Sequence, residues 1–199
     1  MEVETRAAAV QLGVSQRQVQ RLARTGRVLG RTVAGRRLVA ARSLVAVSRS
    51  SGRGRRWDDS TAAAAAELLE SGSTERISGS QRSRLRARLR AASVQELAYR
   101  MLASRVTLWR RTGVAGASTP LDDNLTATGR GIDVVVTRDA RALARRERLV
   151  EDLDGETILV TLHTGAPATV GDIVLYAYGD ERASAAARER IRGRQSELV

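Results

Sequence analysis

Gln16, Arg17, Gln20, Arg21 and Arg24 lie within one nine-residue stretch and carry the side chains best suited to reading a nucleic-acid duplex. A glutamine amide offers a donor and an acceptor side by side, which matches the edge of adenine, and the arginine fork matches O6 and N7 of guanine. On a helix, Gln16, Arg17 and Gln20 fall near the N-terminal end, the part that usually meets base edges. Arg21 and Arg24 come later and suit phosphates. Ser15 and Gln18 have the spacing of a capping box, a hydroxyl three residues ahead of an amide, which would start such a helix at residue 16. A plainer reading of these residues is the solvated face of a two-helix hairpin.

Candidates for catalysis are poorer. Asp133, Asp139, Asp172, Asp180 and the single His163 show no spacing that points to a metal or a triad. Asp172 reads as the residue ahead of a strand, Asp180 as a helix start and His163 as a strand end. The chain shows neither a phosphate-binding loop nor a nucleophile elbow. It has no cysteine, which removes disulfides and thiolate metal sites. The expectation is a protein without enzymatic activity and without a cofactor or metal.

Charge places the reader at one end. All 34 basic residues are arginine, and net charge is +12. Residues 1–56 hold 13 arginines against Glu2 and Glu4, whereas residues 113–199 hold 11 against 14 acids. A basic field confined to one end is the footprint expected where a chain meets phosphate. The acidic end is free for another partner. No apolar run approaches a membrane span, and the first residues lack the apolar core of a signal peptide. The expected location is cytoplasmic and nucleoid-associated, without membrane contact.

The elements that must position these side chains follow from the apolar pattern. Residues 5–12 predict a short helix with Ala8, Ala9 and Leu12 on one side. Gly13 supplies the positive φ of a tight turn. Residues 16–24 predict the second helix, with Val19 and Leu22 inward and a stop near Thr25–Gly26. Ala9, Gly13 and Val19 keep the spacing of a helix-turn-helix: a small residue where helices cross, a turn glycine and a β-branched anchor. Residues 28–39 predict a β-hairpin turning at Ala34–Gly35, and residues 41–47 a third helix.

The stretch "AAAVQLGVSQRQVQRLARTGRVLGRTVAGRRLVAARSLVAV" resembles excisionase and MerR-type winged helix-turn-helix domains. The resemblance covers about a quarter of the chain. It implies that the second helix enters the major groove and that Arg31, Arg36 and Arg37 act as wing contacts.

Residues 49–56 form a Ser/Gly/Arg linker in which Arg53 and Arg55 can brush phosphates. Its Arg-Gly-Arg core has a loose likeness to AT-hooks, without their prolines. Residues 58–71 predict a helix capped by Asp58, Asp59 or Ser60, with five consecutive alanines for close packing. Residues 80–91 predict a helix with Leu85 and Leu89 on one face and arginines around the rest. Ser93 caps another helix that turns Leu97, Met101 and Leu102 inward. Residues 105–111, 132–137, 156–163 and 172–178 read as strands, the last two as a hairpin. Residues 138–146 and 180–192 read as helices, and residues 112–131 as a loop. The whole is α+β: a winged helix-turn-helix at 1–48, a linker at 49–56 and a helical plus α/β domain at 57–199.

Three stretches, "GRGRRWDDSTAAAAAELLESG", "SGSQRSRLRARLRAASVQELAYRMLASR" and "ETILVTLH" with "DIVLYAYGDERASAAARERI", resemble an actinobacterial group of proteins similar to AbiEi-type antitoxins. The resemblance implies an operon repressor whose C-terminal part partners a toxin of the nucleotidyltransferase class. The leading expectation is therefore a sequence-specific regulator of double-stranded DNA with an antitoxin-like C-terminal region. Two alternatives stay open: an excisionase-like architectural protein, and a module that neutralises a toxin without DNA. Two half-sites on one duplex raise affinity by linkage, which favours a homodimer.

Overall fold

The computed structural model describes residues 1–50, 55–102, 104–112, 125–129 and 132–198, the segment 125–129 by its backbone alone. Among them the chain forms nine helices and two sheets, a mixed α and β architecture. Arg53 and residues 113–124 of the expected loop lie outside the described residues.

The N-terminal module opens with β1 (Glu2–Glu4), then α1 (Thr5–Leu12), α2 (Gln16–Arg24), β2 (Gly30–Val33), β3 (Arg36–Ala40) and α3 (Ala41–Arg49). Its sheet runs β1-β3-β2, antiparallel throughout. Ala8, Ala9, Val19, Leu22, Val28, Val39 and Leu44 form a buried cluster of their own. The three-residue β1 lay outside the sequence reading, because a strand this short pairs with β3 across more than thirty residues and leaves no local period.

The body begins with α4 (Asp59–Ser71), α5 (Gly79–Ala91) and α6 (Val94–Leu102). Asp58 caps α4, its carboxylate accepting the Thr61 N–H at 2.8 Å. Ala62 to Ala66 are all fully buried, so α4 is sunk in the core on every side. Small side chains permit that, since a larger one would force neighbours out of a close-packed interior. Ser93 Oγ accepts the Glu96 N–H at 3.1 Å at the start of α6, as the sequence predicts.

A five-stranded sheet follows: β4 (Val106–Arg111), β5 (Leu125–Gly129), β6 (Ile132–Thr137), β7 (Leu149–Glu151) and β8 (Thr157–Thr161), in the order β5-β6-β8-β4-β7. β6 and β8 are parallel and the other pairs antiparallel. Strands β5 and β7 extend the sequence reading. α7 (Ala140–Arg146) covers one face through Leu143 and Ala144, against Trp109, Val135, Leu149 and Leu159.

The other face receives α8 (Pro167–Tyr178), and α9 (Glu181–Glu197) closes the chain with Asp180 as its cap. Here one expectation is corrected: residues 172–178 are helix, so they form no hairpin with β8. Every residue from Thr169 to Tyr178 is buried, and α8 packs against α3, α4, α6, α9 and the sheet. A helix apolar on all sides has no 3.6-residue pattern, and a short run of Ile, Val, Leu and Tyr then imitates a buried strand. Asp172 accordingly lies within a helix, where its carboxylate accepts from Arg190 and Arg194 of α9 at 2.7 and 2.5 Å.

Candidate nucleic-acid interface

The turn before α2 is built from its first residues outward. Gly13 sits at φ 64°, and the Val14 N–H returns to the Ala9 carbonyl at 3.0 Å. Ser15 Oγ accepts the Gln18 N–H at 3.2 Å, which satisfies one donor left open at the helix start. Val19 and Leu22 point into the module core against Ala8, Ala9 and Leu44. At the far end the Thr25 hydroxyl donates to the carbonyls of Arg21 and Leu22, both at 3.1 Å.

Fixing Val19 and Leu22 inward leaves Gln16, Arg17, Gln20, Arg21 and Arg24 exposed. Arg17, Gln20, Arg21 and Arg24 have no side-chain partner among the described residues. Gln16 is partly engaged, its Nε2 donating to Thr5 Oγ1 at 2.9 Å. Gln18 is half-buried, and its backbone N–H serves the Ser15 cap.

The hairpin turns where the sequence predicts. Ala34 and Gly35 both hold positive φ, 47° and 76°, as a two-residue turn of the primed class requires. Arg37 is exposed beside it. Arg31 and Arg36 are paired with residues of β1: Arg31 with Glu2 at 2.8 Å and Arg36 with Glu4 at 3.3 Å. Exposed pairs of this kind contribute only about 0–1 kcal/mol, so a phosphate can compete for either arginine.

The module is docked on the body by arginines that the sequence reading did not single out. The Arg27 guanidinium stacks 4.5 Å from the centre of the Tyr99 ring and donates to the Ser50 carbonyl at 3.2 Å. Burial pulls its pKa below the ordinary arginine range, and Tyr99 pulls the other way. Arg42 donates to the Gly155 carbonyl at 2.9 Å and Arg49 to the Gly179 carbonyl at 2.5 Å. At the end of the expected linker Arg55 and Arg56 are exposed, Arg56 donates to Ser104 Oγ, and Trp57 is buried with its backbone N–H donating to the Arg100 carbonyl at 3.1 Å.

No protein family, curated protein or solved structure matches the chain.

Of the remaining candidate carboxylates, Asp133 lies on β6 and the other two have structural partners. Asp139 and Asp180 cap α7 and α9 by accepting the Ala142 and Ala183 N–H groups at 2.9 and 2.7 Å. His163 is exposed just past β8, on the rim of an open cleft of about 560 Å³ that Arg138 and Arg146 also line. Among the described residues no group of three or more His, Asp or Glu could hold a metal ion, and no helix is long and apolar enough to cross a membrane.

Proposed function

We propose that the chain is a sequence-specific regulator that binds double-stranded DNA through a winged helix-turn-helix at residues 1–48. The observation that carries this reading is the outward face of α2: Arg17, Gln20, Arg21 and Arg24 are exposed and without side-chain partners among the described residues, on a helix pinned by its cap and by a buried inner face. Arginine and glutamine at the start of a recognition helix read guanine and adenine edges, and the arginines further along take phosphates. Ser15 and Gln18 set the helix start, and Gln16 reads only if it leaves Thr5. The β2–β3 hairpin serves as the wing, with Arg37 free and Arg31 and Arg36 exchanging Glu2 and Glu4 for phosphate. Arg53 and Arg55 extend the contact from the linker.

Residues 57–199 take a protein partner in this reading, an antitoxin-like role toward a nucleotidyltransferase-type toxin, with repression of the chain's own operon. Its support is the resemblance of the three stretches quoted above. Binding as a homodimer would supply two readers for paired half-sites.

The test is an electrophoretic shift on the DNA upstream of the gene, repeated across salt concentration. Wild type should prefer one site over scrambled duplex, and Arg17→Ala with Arg21→Ala should lose about 10- to 100-fold in affinity for that site. Equal binding of all duplexes by wild type and variant would sink the reading.

A further inference from the structure

We propose that the DNA contact continues from the C-terminal end of α2 across the body, along a cationic furrow that takes the phosphate backbone flanking the bases α2 reads. This rests on the proposed function and extends it to residues of the body. Two open furrows, of about 770 and about 820 Å³, share Arg55, Arg56 and Ser104 as lining and so form one track. The first is lined by Arg21 and Arg24 and by no carboxylate. Arg88 of α5 lines the second.

Two carboxylates, Asp58 and Asp59, line the second furrow, and each already accepts a hydrogen bond from the protein. Asp59 accepts from Arg105 at 2.9 and 2.7 Å. Asp58 caps α4, and the Thr61 N–H bond holds its pKa below the usual carboxylate range. Arg21, Arg24 and Arg88 have no hydrogen-bond or ion-pair partner among the described residues, and Arg55 has only the charge of Asp58 near it. Their guanidinium groups are spread over two connected furrows instead of converging on one point. Such a row suits a polyanion, whose successive phosphates each release a counterion on binding, better than a single small anion.

The furrow also holds a fixed position relative to α2. Gly26, just past the end of α2, lies so close to Ser104 that an added Cβ would sit 3.2 Å from the Ser104 Cβ. Arg27 is clamped on Tyr99, which lines the first furrow. A duplex seated on α2 therefore meets Arg55 and Arg88 in a set register.

The experiment uses the full chain and a duplex recovered by in vitro selection with that chain. Affinity is measured across salt, and contacts are mapped by hydroxyl-radical footprinting. Arg55→Ala with Arg88→Ala should lower the slope of log affinity against log salt by about 2, since each phosphate contributes about 0.9. Protection should shrink on one flank, and in Arg88→Ala alone the preference for the selected site over scrambled duplex and the melting temperature should stay unchanged. Arg88→Gln, a milder change, should lower the slope by about 1. Arg17→Ala with Gln20→Ala should do the reverse, removing the preference while keeping the flank protection.

Site-selective binding with wild-type slope and footprint in the folded Arg55/Arg88 variant would overturn the furrow and leave the reader standing. Stoichiometric binding of inorganic pyrophosphate at physiological salt, abolished by the same variant, would overturn it in favour of a small-anion pocket. If the full chain selects no sequence and binds no duplex at low salt, the proposed function falls, and the furrow with it.

Discussion

The N-terminal module and the body use the same residue, arginine, in opposite ways. On α2 the guanidinium groups of Arg17, Arg21 and Arg24 stand in solvent without partners among the described residues. In the body the buried and half-buried ones are ties, whereas Arg88 is exposed. Arg105 is only 8 % exposed and bonds Asp59 together with the carbonyls of Met101 and Trp57. Arg190 and Arg194 hold Asp172, Arg100 holds Glu96 and Arg76 holds Glu67. A net charge of +12 counts both kinds alike. The difference lies in what each arginine has already been given to bind, and only those lacking a protein partner are available to a phosphate at no cost to the fold.

That contrast can be broken most directly at Arg105. Arg105→Ala strands two backbone carbonyls and should destabilise the protein by roughly 3 kcal/mol, since a buried acceptor left unsatisfied costs about 1–3 kcal/mol. Thermal unfolding should then fall by about 6–12 °C, given about 2–4 °C per kcal/mol at this chain length. The Arg17→Ala and Arg21→Ala variant should melt within about 2 °C of wild type, because exposed changes away from caps and cores shift stability by less than about 0.5 kcal/mol. A melting loss at α2 equal to that at Arg105 would erase the distinction.

Ser15→Ala joins the two properties. Removing the cap should cost about 1 kcal/mol in urea unfolding. The freed first turn of α2 should also weaken the preference for the selected duplex, which an electrophoretic shift would show. Glu67 gives a smaller effect, visible in acid. Burial raises its pKa, but bonds from Thr74, Arg76 and the Gly165 N–H outweigh that and leave it lowered. A carboxylate with a depressed folded pKa stabilises above the unfolded value of about 4.3 and loses that contribution as pH falls through the folded value. Between about pH 6 and about pH 3, wild type should therefore lose more stability than Glu67→Gln. The smallest effect belongs to the wing. Glu2→Gln with Glu4→Gln should raise DNA affinity about two- to threefold at low salt, an advantage that shrinks as salt rises.

What the sequence made readable was local. Ser15, Asp58, Ser93 and Asp180 announce helix starts through a side chain that reaches only three residues, and each makes that bond. Ala34–Gly35 announces its turn in the same way. What stayed hidden depends on distant partners. The strands β1 and β7 are each three residues long and exist only because β3 and β4 accept them. The helix α8 lost its period by being buried all round, so Asp172 was misplaced. At the candidate site the outward face of α2 could be derived from helical spacing. The engagement of Gln16 with Thr5, the pairing of Arg31 and Arg36 with β1 and the clamp of Arg27 on Tyr99 could not, because each joins elements whose mutual placement no local pattern encodes.

The position of α8 in the chain bears on the order of events during synthesis. The module's apolar cluster is complete once Leu44 has been made, so it can close while the rest is still being translated. The body has no such early finish. α4 and α6 pack on α8, which ends at Tyr178, so the apolar face of α4 waits until more than a hundred further residues have been made. Through that interval a closed N-terminal module precedes an unfinished body, and the nascent chain is then most exposed to aggregation or to capture by a chaperone.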